Sequence, residues 1–370
     1  MKITTVAISL CNHNSSVCIL ENANVKLLVQ EERITRKKND STCSTKFLNF
    51  ICSQVNKIDN LVLVNFSDNE KINHVLNYFN YKFIKYNNVI VDNNNHHLYH
   101  AASAFYSSGF NEAICLVIDG WGSSYPISNF SNGTETTSIF DFKYPAENTN
   151  LYKNITYDPN RNEVIQTDLF ETQFDYDVNL THHMDIGVMY GTISKEIGFG
   201  RLDGGKTMGL SSYGKESNQI PPLLINGIAN MNFFKSDRTI NKKLFKQLYT
   251  LDFKLKADLS FSVQKCLEEV FIQRIKYIKT KTNCKNIVFS GGCSLNILGN
   301  SLIKKEFPEI NFYVDPIAND ACQSYGAAKY YYHKLTSDYT NEKFNNLYFG
   351  PKYNKEKQKE VIYEYVRKSS

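Results

Sequence analysis

The sequence predicts an α/β protein of two lobes, and three observations carry that expectation. At 370 residues the chain has the length for two domains or one large two-lobed domain. Apolar strand-like runs alternate with helical patterns toward both ends of the chain. Two of those runs, "LVIDGWG" and "NIVFSGG", end in glycine turns whose backbone amides can meet a ligand.

The elements follow in order. "TTVAISL" and "SVCILEN" flank the polar turn "CNHNS", and "ANVKLLVQEER" comes after a short turn, which predicts a three-strand meander. "NLVLVNF" reads as a buried strand, "NHVLNYFNYKF" as a helix and "NNVIVD" as another strand. A helix then opens at "HHLYHAASAFY", with Asn94 or Asn95 available as its N-cap. "EAICLVIDGWG" is expected to close the first lobe. Residues 123–180 are polar, rich in Asn and Thr and weakly periodic, so they read as an insertion of surface strands and loops. Helical pattern returns at "MDIGVMYGTISKEIGF", "GGKTMGLSSYGK" reads as a glycine-rich loop, and a long helix is expected around 255–280. Then come strand "NIVFSGG", helix "SLNILGNSLIKKE", strand "NFYVDP" and helix "DACQSYGAAKYYYHKL". No short-period repeat is visible.

Composition narrows the classes. With 42% apolar and 21% charged residues the chain can bury a core. Its net charge of +5 is dispersed rather than gathered into an arm, which argues against a polynucleotide track and leaves an anionic small substrate open. The basic runs at 36–38 and 278–282 read as solvated surface. No apolar run approaches the ~20 residues that cross a bilayer, so no membrane partner is expected. "MKITTVAISL" carries no signal-peptide pattern, and the nine cysteines include no Cys-x-x-Cys. Buried free thiols in a reducing cytoplasm are the expectation.

Three of the eight histidines fall within residues 96–100. His96 and His100 are four apart, so on a helix they share a face at the spacing two imidazoles need to hold one metal. His97, three before His100, is a substitute partner. Asp119 ends an apolar strand and Asp320 sits in a strand-to-helix turn, where a carboxylate can face a cleft. Two histidines and one or two carboxylates suit Fe(II), Mn(II) or Zn with positions left open, and spacing does not choose among them. Gly120 and Gly122 in one turn, with Ser290, Gly291, Gly292 and Asn296 in the other, can bring amides close to phosphate. With Lys206 as a point charge they predict a nucleotide site, its two turns facing each other across one cleft. His13, in the first hairpin turn, reads by itself as a polar loop residue.

Seven motifs, "NHNSS", "QEERITRKKND", "HHLYHAASAFY", "IDGWG", "GGKTMGLSSYGK", "FSGGCSLN" and "IANDACQSYGAA", occur in the order and rough spacing of one family. Over residues 3 to about 335 the chain resembles the ATP-dependent O-carbamoyltransferases of the nodulation-factor, cephamycin and tobramycin type. That family is similar to the tRNA threonylcarbamoyl transferase subunit and to the carbamoyl-transfer domain of hydrogenase maturation factors. The resemblance implies an actin/hexokinase-like two-lobed fold. It also implies an enzyme in which carbamoyl adenylate, made from carbamoyl phosphate and ATP, gives its carbamoyl group to an alcohol. The family's metal ligands fall on His96, His100, Asp119 and Asp320, and its hairpin histidine beside the carbamoyl group falls on His13. Its nucleotide loops fall around Gly120, Lys206 and Gly291–Gly292, and Asp203 is carried as a candidate on the acceptor side. The implied cofactor is a divalent metal, Fe(II) first with Mn(II) or Zn as alternatives, alongside ATP or the adenylate as substrate with Mg.

Two departures stand out. The family usually has Asp after the hairpin histidine, and this chain has Asn14. Family members also continue into a further, adenylate-forming domain, and residues 341–370 resemble only its opening. The expected organisation is a carbamoyl-transfer domain at 1–340, with lobe I at about 1–122, an insertion at about 123–180 and lobe II at about 181–340. The adenylate-forming domain is then a partner to be supplied in cis or in trans. The acceptor is left open among a sugar, a natural-product alcohol and a hydroxymethylated base in nucleic acid. The rival readings are a nucleotide-binding protein of the same fold that transfers nothing, and a non-catalytic subunit that needs a partner.

Overall fold

The structure is a computed structural model that describes residues 2–11, 13–127, 132–157, 174–181, 184–235, 237–243, 252–351 and 354–369. The first lobe opens with the expected meander, β1 (Thr4–Ser9), β2 (Ser16–Glu21) and β3 (Asn24–Gln30). Then follow α1 (Glu31–Thr35), α2 (Thr45–Cys52), β4 (Lys57–Val64), α3 (Asn69–Tyr81) and β5 (Lys85–Asp92). The sheet order is β3-β2-β1-β4-β5, antiparallel through the meander and parallel from β1 to β5. β1 and β4 are covered on both faces, which is why they read as near-continuous apolar runs. Phe47, Leu48 and Ile51 of α2 and Ile72, Val75 and Phe79 of α3 pack on Val6, Ile8, Leu61 and Leu63.

The second lobe begins earlier than its sequence suggests. After α4 (His96–Ser108) come β6 (Glu112–Ile118), β7 (Ser124–Pro126), β8 (Asn132–Lys143), β9 (Glu147–Thr156) and β10 (Asp177–Thr181). Next are α5 (Ile186–Glu196), α6 (Gly204–Ser211), the ribbon β11 (Leu224–Ile225) and β12 (Ile228–Ala229), and α7 (Phe253–Lys281). The chain continues through β13 (Asn286–Ser290), α8 (Ile297–Glu306), β14 (Asn311–Val314), α9 (Cys322–Thr336) and α10 (Lys355–Ser369). The second sheet runs β10-β9-β8-β6-β13-β14, with β7 on β8. Its inner five strands, β9-β8-β6-β13-β14, repeat the order and directions of the first sheet. This doubled topology is the actin/hexokinase-like two-lobed fold.

Three readings of the sequence change here. β6 opens the second sheet instead of closing the first, and the supposed insertion supplies β7 to β10 of that sheet. Residues 128–131 and 158–173 of that stretch lie outside the described residues. Its polar composition hid the strands because β8 buries hydroxyls as well as carbons. Thr136 Oγ1 donates to Asn154 O at 3.3 Å and Thr137 Oγ1 to Asp185 Oδ2 at 3.2 Å. Residues 204–211 of the glycine-rich segment form the helix α6, packed on α7, and just beyond it a Cβ at Gly214 would stand 2.0 Å from Ala257 O. The tertiary contact overrides the weak helix propensity of its glycines.

α4 lies on β6 and β13 of the second sheet, and α9 lies on β1, β2 and β4 of the first. The two helices pack on each other and so join the lobes. The small residues after the histidines serve this contact. Ala101, Ala102 and Ala104 are fully buried, as are Ala327 and Ala328 opposite. A Cβ on Gly326 would come within 2.0 Å of Tyr99 O. All nine cysteines are free thiols. No helix among the described residues is long and apolar enough to cross a membrane.

Lys329 of α9 is buried beneath the first sheet, donating from Nζ to Ala23 O at 2.8 Å. Burial pushes its ammonium down to about 8 from the usual 10.5. Below that value folded and unfolded chains both carry the proton, so the penalty of the buried charge is constant. From about 8 to 10.5 the folded chain releases a proton that the unfolded chain keeps, so this residue's contribution to stability rises with pH. Lys329→Met should abolish a gain of up to about 3 kcal/mol across that window. Denaturant melts of both proteins at pH 7.5 and 10 check this, and parallel pH profiles would refute it.

Candidate metal centre

The N-terminus of α4 is held from outside the helix. Asn95 is the N-cap residue, but its side chain gives no cap bond and instead donates to Asp92. His96 N donates to Ser123 Oγ at 2.9 Å and His97 N to Glu135 Oε1 at 3.3 Å. These bonds satisfy two of the amides that every helix start leaves open. One turn on, His96 and His100 share a face, with ring centroids 5.0 Å apart.

Asp119 follows the last residue of β6. Its Oδ1 accepts from Gly120 N at 2.7 Å and Gly292 N at 3.2 Å, which leaves Oδ2 turned toward the histidines. Asp320 stands in the turn before α9. Nε2 of His96 lies 3.5 Å from Asp119 Oδ2 and 3.6 Å from Asp320 Oδ1. Nε2 of His100 lies 3.4 Å from each of the same two oxygens. The four donor atoms all fall within 4.8 Å of one another. Both Nε2 atoms are buried without a hydrogen-bond partner, which is costly unless something else binds them. Four donors at ~2.1 Å around one ion stand roughly 3.4 Å apart, so this set fits a divalent ion.

His97 does not join it. Its Nδ1 meets Ser138 Oγ at 2.8 Å, and its Nε2 lies beside Gly122, where a Cβ would stand 2.7 Å away. Burial pushes the His97 imidazole down to about 4, so it is neutral.

The other nitrogen of His100 has its own partners. Nδ1 lies 3.1 Å from Cys322 Sγ and 3.4 Å from Ser290 Oγ, and Ser290 Oγ donates to Asp315 Oδ2 at 3.0 Å. Such contacts fix ring orientation and leave Nε2 for a ligand. Burial opposes charge on His100, yet Cys322, Asp119 and Asp320 outweigh it and hold the imidazole well above its usual value. Burial likewise works against the Asp119 carboxylate, and the two histidines outweigh it and hold it well below the usual range.

His13 lies on the Asp320 side of this set. Its Nδ1 is 2.7 Å from Asn14 Oδ1 and 3.6 Å from Asp320 Oδ2, and Asn14 takes the left-handed conformation at φ 61°. The glycine turns are adjacent, but they do not face each other across a cleft. They sit side by side at the ends of the neighbouring parallel strands β6 and β13, joined by the bond from Gly292 N to Asp119. Gly291, at φ 87°, touches the backbone of Ile118, whereas Gly120 has open space above it. Ser290 is committed to Asp315, and buried Asn296 caps α8 and bonds Gln264. Asp203 accepts from Lys206 Nζ at 2.9 Å and stands 4.0 Å from Lys38 of the first lobe. Lys206 is thus tied on its own helix and largely exposed.

Sequence reasoning passed over Glu135, Ser123, Ser290's partner Asp315, and Cys322. Asp315 had a signal, since it ends an apolar strand just as Asp119 does. Glu135 had none, because it lies in the stretch taken for an insertion.

Comparison with known proteins places this geometry in a family. A family model described as the Carbamoyltransferase N-terminus matches residues 70–329. An uncharacterized protein of Methanocaldococcus jannaschii is 26% identical over 96% of this chain and 62% of its own length. The nodulation protein NolNO of Sinorhizobium fredii is 25% identical over 69% of this chain and 33% of its own. The chain therefore spans between a third and three fifths of the length of these relatives. Full-length HypF, solved in a phosphate- and nucleotide-bound form, shares the fold with a TM-score of 0.52 at 14% identity. That likeness covers 90% of this chain and 56% of HypF. With its motifs in order and more than half its length matched, the chain belongs to the Carbamoyltransferase N-terminus family.

Proposed function

We propose that this chain performs the transfer half-reaction of an O-carbamoyltransferase, moving a carbamoyl group from carbamoyl adenylate to a hydroxyl. The carrying observation is the pair of buried, unpartnered Nε2 atoms of His96 and His100 facing Asp119 and Asp320. A divalent ion held there supplies Lewis-acid polarisation of the donor's oxygen. The chain's own residues do the rest. The 119–122 and 291–292 turns border the phosphate of the adenylate, with Gly120 the open position that lets it approach the backbone. Nδ1 of His13 faces Asn14 Oδ1 at 2.7 Å, and the tautomer that donates there carries its lone pair on Nε2. That nitrogen takes the proton of the acceptor hydroxyl as its oxygen bonds the carbamoyl carbon and AMP leaves. Asp203, ion-paired with Lys206 on the face toward Lys38, lines the acceptor side.

Water is the simplest hydroxyl, which gives a test that needs no known acceptor. The chain loaded with Fe(II), Mn(II) or Zn and given preformed carbamoyl adenylate should release AMP well above the protein-free rate. His13→Ala should lower that release by about 10²-fold or more. Nucleotide binding with no metal-dependent AMP release would instead favour the non-transferring nucleotide-binding reading.

A further inference from the structure

We infer that Glu135 is a positioning residue for the metal centre, holding in register the two elements that carry three of its four donors. The inference rests on the reading of His96, His100, Asp119 and Asp320 as ligands. It goes beyond that reading by assigning a role to a buried ion pair outside the donor set.

Glu135 is 1% exposed, on β8, and its two carboxylate oxygens do different things. Oε1 accepts from Ser123 N at 3.0 Å, just after the Asp119 turn, and from His97 N at 3.3 Å, at the start of α4. One oxygen thus links the loop carrying Asp119 to the helix carrying His96 and His100. Ser123 completes the tie, because its Oγ accepts from His96 N. The main chain runs alongside, with Gly122 N donating to Glu135 O at 2.8 Å and Asp119 N to Thr136 O at 2.9 Å. Oε2 anchors the carboxylate from the other side. It lies 2.7 Å from Lys153 Nζ of β9 and accepts from Tyr125 at 3.2 Å. Lys153 is itself buried and packs over the Tyr125 ring.

A carboxylate at this point also sits against the positive end of α4. Both charges are desolvated, and a buried pair is poor evidence of a stability role, since apolar pairs of similar size hold folds together as well. What an apolar pair cannot do is accept two amides from two different elements. Gly122 sets the tolerance, because a Cβ there would strike Glu135 and His97 at 2.5–2.7 Å. The loop, the helix start and the carboxylate therefore fit in one arrangement.

The test uses the full chain and Co(II) as the probe, read by its d–d absorption and by competition for affinity. Glu135→Met combined with Lys153→Met removes both charges together, leaves no buried ion unpaired and takes away the acceptor of the two amides. Ser123→Ala removes only the acceptor for His96 N. The double variant should melt within a few degrees of the parent in the metal-free state. It should bind Co(II) about 10- to 100-fold more weakly, the range typical of groups that orient ligands, with a changed d–d spectrum. Ser123→Ala should bind several-fold more weakly at an unchanged melting temperature. A purely structural role would lower melting and leave the affinity and spectrum of the folded protein as they were, and that result overturns the inference. If the double variant does not fold, Ser123→Ala decides. A parent chain that binds no Co(II) overturns the metal centre itself, an outcome distinct from parent-like binding in the variants.

Discussion

His100→Ala is expected to abolish measurable retention of a divalent ion, with affinity falling by more than about 100-fold. Partners that merely orient a ligand are typically worth 10- to 100-fold, and His100 is a donor, so its loss should exceed that range. The ring is fully buried, its Nε2 is 3.4 Å from both carboxylates, and its Nδ1 is fixed from behind by Cys322 and Ser290. Among the described residues, the donor group holds no further side chain beyond His96, His100, Asp119 and Asp320. His97 is the one sequence spacing would nominate, but its ring is turned to Ser138 and Gly122. Metal content after dialysis, together with Co(II) titration, measures the effect. His97→Ala should still hold one ion per chain. Equal occupancy in His100→Ala and the parent would remove the metal centre from the molecule.

Gly326→Ala should destabilise the chain by about 3 kcal/mol and lower its melting temperature by several degrees. The added methyl would stand 2.0 Å from Tyr99 O and 3.0 Å from Ser103 N. These are backbone atoms of α4, so no rotamer change relieves the clash and one helix must move. His96 and His100 ride on α4, whereas Asp320 leads into α9, so the same displacement pulls the donor set apart. Melting temperature and Co(II) affinity should therefore fall together in this variant. Loss of one without the other would mean that the helix contact and the donor geometry are independent.

The sequence made some of this legible because the signals were local. Four-residue spacing on a helix put His96 and His100 on one face, and the strand-end position of Asp119 and the turn position of Asp320 marked acids that face outward. The meander and the parallel strands were readable because apolar runs buried on both faces look alike wherever they occur. What failed was anything set by a distant partner. β8 and β9 bury Thr136, Thr137, Ser138, Lys153 and Asn154, each matched by a partner on another strand or on a packed helix, so their pattern looked like surface. The cap of α4 comes from Ser123 and Glu135, across the sheet and beyond any motif at the helix start. The repeated strand order of the two sheets left no trace as a sequence repeat, because topology is conserved by direction and order of strands and not by side chains.

The four donors meet where α4 packs on α9, the contact that joins the lobes. Three donors belong to the second lobe and Asp320 to the first, so an ion there would cross-link the two lobes. Lys38 and Asp203, 4.0 Å apart, are a second contact between the lobes, so separating the lobes there must part this pair as well.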